Sequence, residues 1–224
     1  AVASVAVART PSQAPTPTVT PPIEPAPATL ADFLKADGFE RRGRPESAAP
    51  LYRRVAGAGL GDWSTLAALR LAKISINSEH YDESAAASRQ VIASQHPEWS
   101  VEAAWRLGNA LASRGDDAEA DQAYSSVVEF DHPMWSPVAA VDLADWIIAH
   151  AKPSDALRTA GPLLEYALGA REHELAARAA FRLGGLYELV NDSMAARAVF
   201  RRAVLLSAPV WSAQAASALD RLRT

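Results

Sequence analysis

Arg70, Arg106 and Arg182 occupy one recurring register of this chain, and Asp142 stands at the fourth place of the same row. A guanidinium offers a planar fork of donors, so such a row suits a partner that carries carboxylates, with Asp142 as its single interruption. Trp105 precedes Arg106 and Phe181 precedes Arg182, which places an aromatic anchor for an apolar side chain beside each cation. Catalytic chemistry finds no comparable support. The five histidines make no metal set: His96 and His132 recur at equivalent turns, and His80, His150 and His173 have no ligand partner at helix-face spacing. Cysteine is absent, which excludes disulfides, thiolate nucleophiles and Cys-type zinc sites. Ser64, Ser100 and Ser136 recur with the repeat, as a unique nucleophile would not, and no Gly-x-Ser-x-Gly elbow, phosphate-binding glycine loop or His-Glu-x-x-His helix is present. Asp116, Asp117, Glu119 and Asp121 could be read as a cation site, but acids at the start of a helix complement its dipole. The expectation is therefore a non-enzyme with no cofactor and no metal, acting through a surface.

The elements that must carry that surface are repeats. Trp63-Ser64, Trp99-Ser100, Trp135-Ser136 and Trp211-Ser212 follow one another at intervals of 36, 36 and 76 residues. Overlaying Ala103 to Gly108 on Ala179 to Gly184 puts Leu175 where a tryptophan is missing and turns the spacings into 36, 36, 40 and 36. A four-residue insertion then falls in the unit that begins at Trp135. Self-similarity at such a period marks units that cannot bury their own apolar face and must stack on their neighbours.

Each unit reads as two helices, because apolar residues recur at spacings of three and four and no alternating strand pattern is sustained. The Trp-Ser serines are expected at N-caps, with Pro137 supporting the one at Ser136, and Trp99 is expected to fold on Ala104 as a hydrophobic staple. On this reading the tryptophans are structural punctuation, and full burial of Trp99 predicts a loss of roughly 3–5 kcal/mol in Trp99→Ala. First helices should stop near Gly115 and Asn191; second helices should run through Ala120 to Val128 and Ala196 to Val204. Gly108 and Gly184 let helices approach while Tyr124 and Phe200 fill the space between units. Gly161-Pro162 should bend or split the second helix of the irregular unit, or mark only drift within the array.

Residues 1–28 read as an Ala/Pro/Thr-rich linker without a core, and 29–224 as the helical body. Units are expected near 29–62, 63–98, 99–134, 135–174 and 175–210, with a closing helix over 211–224. The net charge of −4 gives no general attraction to nucleic acid or anionic lipid, and 29–224 contains no membrane-inserting stretch. Ala1 to Ala8 suit either the tail of an anchor or signal or a domain-boundary fragment, so a cytoplasmic location is favoured slightly over an envelope-tethered or exported one.

Leu107-Gly108, Ala120, Tyr124 and Pro133 in one unit, and Leu183-Gly184, Tyr187, Ala196, Phe200, Ala203 and Pro209 in another, resemble the tetratricopeptide repeat family, in the 36-residue form familiar from bacterial arrays. The resemblance covers about residues 29–224. It implies an all-α, right-handed solenoid of stacked antiparallel helix pairs whose first helices line a concave groove. The groove residues it implies are Arg70, Lys73, Asn77, Trp105, Arg106, Asn109, Asp142, Arg178, Phe181 and Arg182. Asn109, Arg178 and Arg182 match positions of the clamp that holds chaperone C-terminal carboxylates in some members, while Trp105 and Asp142 depart from it. Ordinary solvated groove charges are the alternative to a carboxylate clamp. The implied function is a protein–protein interaction scaffold holding a partner peptide or helix, with a curvature-changing regulatory or sensor domain as the alternative and self-association left open.

Overall fold

The computed structural model describes residues 27–222 and consists of helices over that span. In chain order they are α1 (Pro27–Arg41), α2 (Pro45–Ala56), α3 (Asp62–Asn77), α4 (Tyr81–Ala93), α5 (Trp99–Arg114), α6 (Asp117–Glu129), α7 (Trp135–His150), α8 (Pro153–Ala167), α9 (His173–Leu189), α10 (Ser193–Leu205) and α11 (Pro209–Arg221). The linker expected over 1–28 lies outside the described residues as far as 26, and Pro27 and Ala28 already belong to α1.

Consecutive helices pack as stacked antiparallel pairs, giving the all-α solenoid expected. Beyond these neighbours, close backbone approaches join α3 to α5, α5 to α7, α7 to α9 and α9 to α11. The odd-numbered helices thus form the tighter, inner layer of the curve. The even-numbered ones splay on the outside, where long side chains reach across: Arg53 Nη2 to Glu83 at 2.6 Å and Arg89 Nη2 to Glu119 at 2.9 Å, the same pair one repeat apart.

The core is built by size matching at one contact. Tyr52, Ser88, Tyr124, Ala160 and Phe200 occupy equivalent places on the even helices, facing Ala36, Ala72, Gly108, Ala144 and Gly184 on the odd ones. A Cβ on Gly108 would lie 2.7 Å from the Tyr124 ring, and one on Gly184 would lie 2.5 Å from that of Phe200. Alanine stands opposite the small Ser88 and Ala160 and also opposite Tyr52, so a ring meets glycine at two of its three places. Ala144 of the Trp135 unit faces the small Ala160, where no ring needs the space of a missing Cβ.

The helix starts differ from expectation. His96 Nδ1 accepts from the backbone N–H of Trp99 at 3.3 Å and His132 Nδ1 from that of Trp135 at 3.2 Å, and their carbonyls accept from Ser100 N and Ser136 N. The histidines therefore hold the turn that leads into each helix, whose N-cap residues are Glu98 and Met134 without a side-chain cap bond, and the serines fall on the second helical residue. Freed from capping, each serine hydroxyl reaches back nine residues to the preceding helix: Ser64 donates to Val55 O at 2.7 Å, Ser136 to Val127 O at 2.5 Å and Ser212 to Ala203 O at 2.7 Å. It caps a carbonyl of the last turn of that helix, one of those a helix C-terminus leaves short of intrahelical partners; Val55 O also accepts from Ala58 N at 3.1 Å. Ser136 also accepts from His132 N at 2.7 Å. Because both partners would be stranded, Ser136→Ala should lose about 1–2 kcal/mol. Ser100, half-buried and 3.4 Å from Val91 O, should lose less than about 0.5 kcal/mol as alanine, and urea midpoints of the two variants would check the contrast.

Trp99 is a second correction. Its ring stacks on His96 at 3.7 Å between centroids and stays half-exposed, so the cost expected for full burial is too high. Gly161-Pro162 is a third: α8 runs unbroken through Pro162. The insertion is absorbed elsewhere, with α8 at 15 residues where α4, α6 and α10 have 13, and α9 starting at His173, two residues ahead of Leu175. The expected helix stops hold: Gly115 closes α5 at φ 85° and Asn191 follows α9 at φ 62°.

Candidate interaction groove

The inner layer carries a hydrophobic ridge whose members come from one register. The tryptophan that opens each odd helix lies against a residue of the preceding odd helix: Trp63 on Phe33 at 5.1 Å, Trp135 on Trp105 at 5.0 Å and Trp211 on Phe181 at 5.7 Å between ring centroids. Leu69 and Trp99 line one cleft at the equivalent junction. At the remaining junction the corresponding residues are Val141 and Leu175, both aliphatic. Trp63, Trp99, Trp135 and Trp211 are all only half-buried, so each packs in part and leaves part of its ring open on this face.

The charged residues expected to line a groove lie on the odd-numbered helices, and there they are paired. Lys73 Nζ lies 3.1 Å and Arg70 Nη1 3.8 Å from Glu40 Oε1 of α1. Arg106 bonds Glu102 one turn earlier on its own helix and lies 5.3 Å over the Trp105 ring. Arg178 bridges Asp142 at 2.9 Å and Asp145 at 2.7 Å, and Arg182 Nε lies 2.8 Å from Asp145. Trp105 Nε1 donates to Asp142 at 2.8 Å. Asp142 is thus no interruption of an arginine row. It is the residue on which α5 and α9 converge from either side of α7. Burial opposes the charge on Arg178, yet Asp142 and Asp145 outweigh it and hold the guanidinium above its ordinary value. Asn109 Oδ1 accepts from the Tyr124 hydroxyl at 2.8 Å, and Asn77 is exposed at the end of α3. Phe181 touches Phe200 at 5.8 Å as well as Trp211. Sequence reasoning missed Glu40, Glu102 and Asp145 as counter-ions. The signal for Glu102 was its i,i+4 spacing to Arg106; Glu40 and Asp145 pair across units, with no local pattern.

Two clefts open between these side chains. One of about 210 Å³ lies between α3 and α5, lined by Leu66, Leu69, Arg70, Lys73, Trp99, Glu102 and Arg106. The other, about 480 Å³, spans α7, α9 and α11 and contains Arg178, Arg182, Leu175 and Trp211. Among the described residues there is no cluster of His, Asp or Glu that could hold a metal ion, and no helix is long and apolar enough to cross a membrane.

The tyrosines behind the groove predict an alkaline weakness. Burial, with the nearby Glu40 charge, raises Tyr52 well above the usual phenol range; burial, with Asp142, does the same for Tyr124. A folded-state pKa above the unfolded value gives stability that is present below pH ~10 and is lost as pH rises beyond it. Between pH 10 and 11 each tyrosine should remove up to about 1.4 kcal/mol. Tyr52→Phe with Tyr124→Phe should flatten that slope in urea melts run across this range.

The match to known proteins follows this geometry. Residues 25–134 match the model of a tetratricopeptide repeat-like domain. Among solved structures, MamA of AMB-1 superimposes with a TM-score of 0.59 at 19% identity, over 79% of this chain and 97% of that one. A putative kinesin light chain of Podosopora anserina, built of nearly identical TPR-like repeats, gives 0.60 at 16% identity, over 81% and 95%. At these identities the likeness is one of fold. No curated protein matches the sequence.

Proposed function

We propose that this chain, whose residues 25–134 are a tetratricopeptide repeat-like domain and whose later helices continue the same fold, is a protein–protein interaction scaffold that holds a partner peptide or helix in the groove of its odd-numbered helices. The observation that carries the reading is the ridge of half-exposed tryptophans along one face, flanked by ion pairs that are formed within the protein. Indoles with one face packed and one face wet are costly to leave in water and favourable to cover. The prearranged ion pairs hold the ridge rigid, which lowers the ordering cost of binding.

Paired cations change the expected partner. A carboxylate clamp needs guanidinium forks with no internal counter-ion, and here each arginine of the row already has a carboxylate beside it. Apolar and aromatic contact therefore supplies most of the attraction, with hydrogen bonds and charge selecting the register. The test is to capture partners on the full chain and map the contact by hydroxyl-radical footprinting. Protection of Trp63, Trp99, Trp135 and Trp211 is expected; protection confined to α4, α6, α8 and α10 would defeat the groove.

A further inference from the structure

The repeat has one missing indole, and the larger groove cleft lies at that position. At three of the four later units a tryptophan opens the odd helix, whereas α9 has Leu175 in that place. The cleft lined by Val138, Leu175 and Trp211 on its apolar side measures about 480 Å³, against about 210 Å³ where Trp99 is present. Its polar side is formed by Arg178 and Arg182, which are neutralised by Asp142 and Asp145. Glu172 and Glu174 complete the lining, and no ion pair is formed by either among the described residues. Arg171, next in sequence, lines a neighbouring cleft with His132 and Met134. Two cations against four carboxylates leave the cleft with two uncompensated negative charges. Its Arg182 guanidinium also lies 5.8 Å over the Trp211 ring, which fixes that wall.

We propose that the cleft between α7, α9 and α11 is a specificity subsite that receives an aromatic side chain of a partner peptide, in the space the repeat elsewhere fills with its own tryptophan, and that Glu172 and Glu174 select a lysine or arginine next to it. The inference rests on the groove reading above and names the partner chemistry at one end of it. A ring entering here would meet the aliphatic Leu175 and Val138 and could stack offset or edge-on against Trp211. The adjacent cation would reach carboxylates left in water at the rim, where complementarity sets register and association rate.

The test uses the full chain and three acetylated, amidated peptides, SGSWKRSGS, SGSAKRSGS and SGSWEESGS, titrated calorimetrically. The first should bind at least about tenfold more tightly than the other two. Leu175→Trp restores the residue found at the equivalent place of the other units, so it should fold, with unchanged circular dichroism, and should lose that preference. Glu172→Lys with Glu174→Lys should shift the preference toward SGSWEESGS. Equal binding of all three peptides, or a preference that survives Leu175→Trp, overturns the subsite. The groove reading is tested apart, by whether partners footprint on Trp63 and Trp99 at the other end, and it stands or falls there whatever the peptides do.

Discussion

Phe200→Ala should lose about 3–5 kcal/mol, and the loss should be coupled to the identity of residue 184. Phe200 is fully buried, and its ring edge occupies the space that a side chain on Gly184 would need. In the wild-type background Gly184→Ala gains about 1 kcal/mol of helix propensity but forces the ring to shift, an overpacking that costs typically 1–3 kcal/mol, so the variant should be destabilised. With Phe200 already truncated, the same Gly184→Ala should stabilise by about 1 kcal/mol, because a methyl enters a vacated space. A double-mutant cycle in urea should therefore return a coupling equal to the overpacking cost, about 1–3 kcal/mol. The next residue supplies the control. A Cβ at Gly185 meets nothing within 4 Å, so Gly185→Ala should stabilise by about 0.5–1 kcal/mol. Additive single effects, or two glycines that respond alike, would show that the ring does not rest on Gly184.

That contact also shows what could be read from the chain before its structure. Glycine inside a strongly helical stretch needs a packing reason, and Gly108 with Tyr124 and Gly184 with Phe200 stood at constant offsets, so the close approach was legible. The accompanying exchange of Ser88 with Ala72 and Ala160 with Ala144 was equally present in the register. It becomes meaningful only once the two rows are known to face each other. The Trp-Ser pairs gave the period correctly but the wrong local role. A serine before a helical run is a cap by pattern, whereas the turn in this protein begins four residues earlier, at His96 and His132, and leaves the hydroxyl free for the previous unit. The repeat register assigned these residues to odd-numbered helices, which is where they lie. Their ionic state did not follow, since Glu40 with Lys73 and Asp145 with Arg178 are separated by a full repeat and nothing local signals such a pair.

The pairing at the α7/α9 junction has the second large consequence. Arg178→Leu should lose about 2 kcal/mol, below the ~3–5 kcal/mol typical of a fully buried pair because its side chain is 27% exposed and those of Asp142 and Asp145 are 15% and 22% exposed. The loss comes from Asp142, left with no cation beside an Asp145 that keeps only Arg182. Adding Asp142→Asn to Arg178→Leu should therefore restore most of it, and raising salt from 0.1 to 1 M should reduce it as the Debye length falls from ~10 to ~3 Å. Arg178→Lys keeps the charge without the fork that spans both acids and should lose about 1 kcal/mol. A stacked array is stable through its unit interfaces, each roughly independent. The α7/α9 interface is the one that lacks the tryptophan contact, so the Arg178 bridge carries a larger share of it than ion pairs do elsewhere. Weakening it should uncouple the helices before α8 from those after it, and the urea transition of Arg178→Leu should broaden, with a smaller slope than wild type. A variant within about 0.5 kcal/mol of wild type, with an unchanged slope, would show that small-residue packing by Ala140, Ala144, Ala176 and Ala180 holds the junction without the bridge.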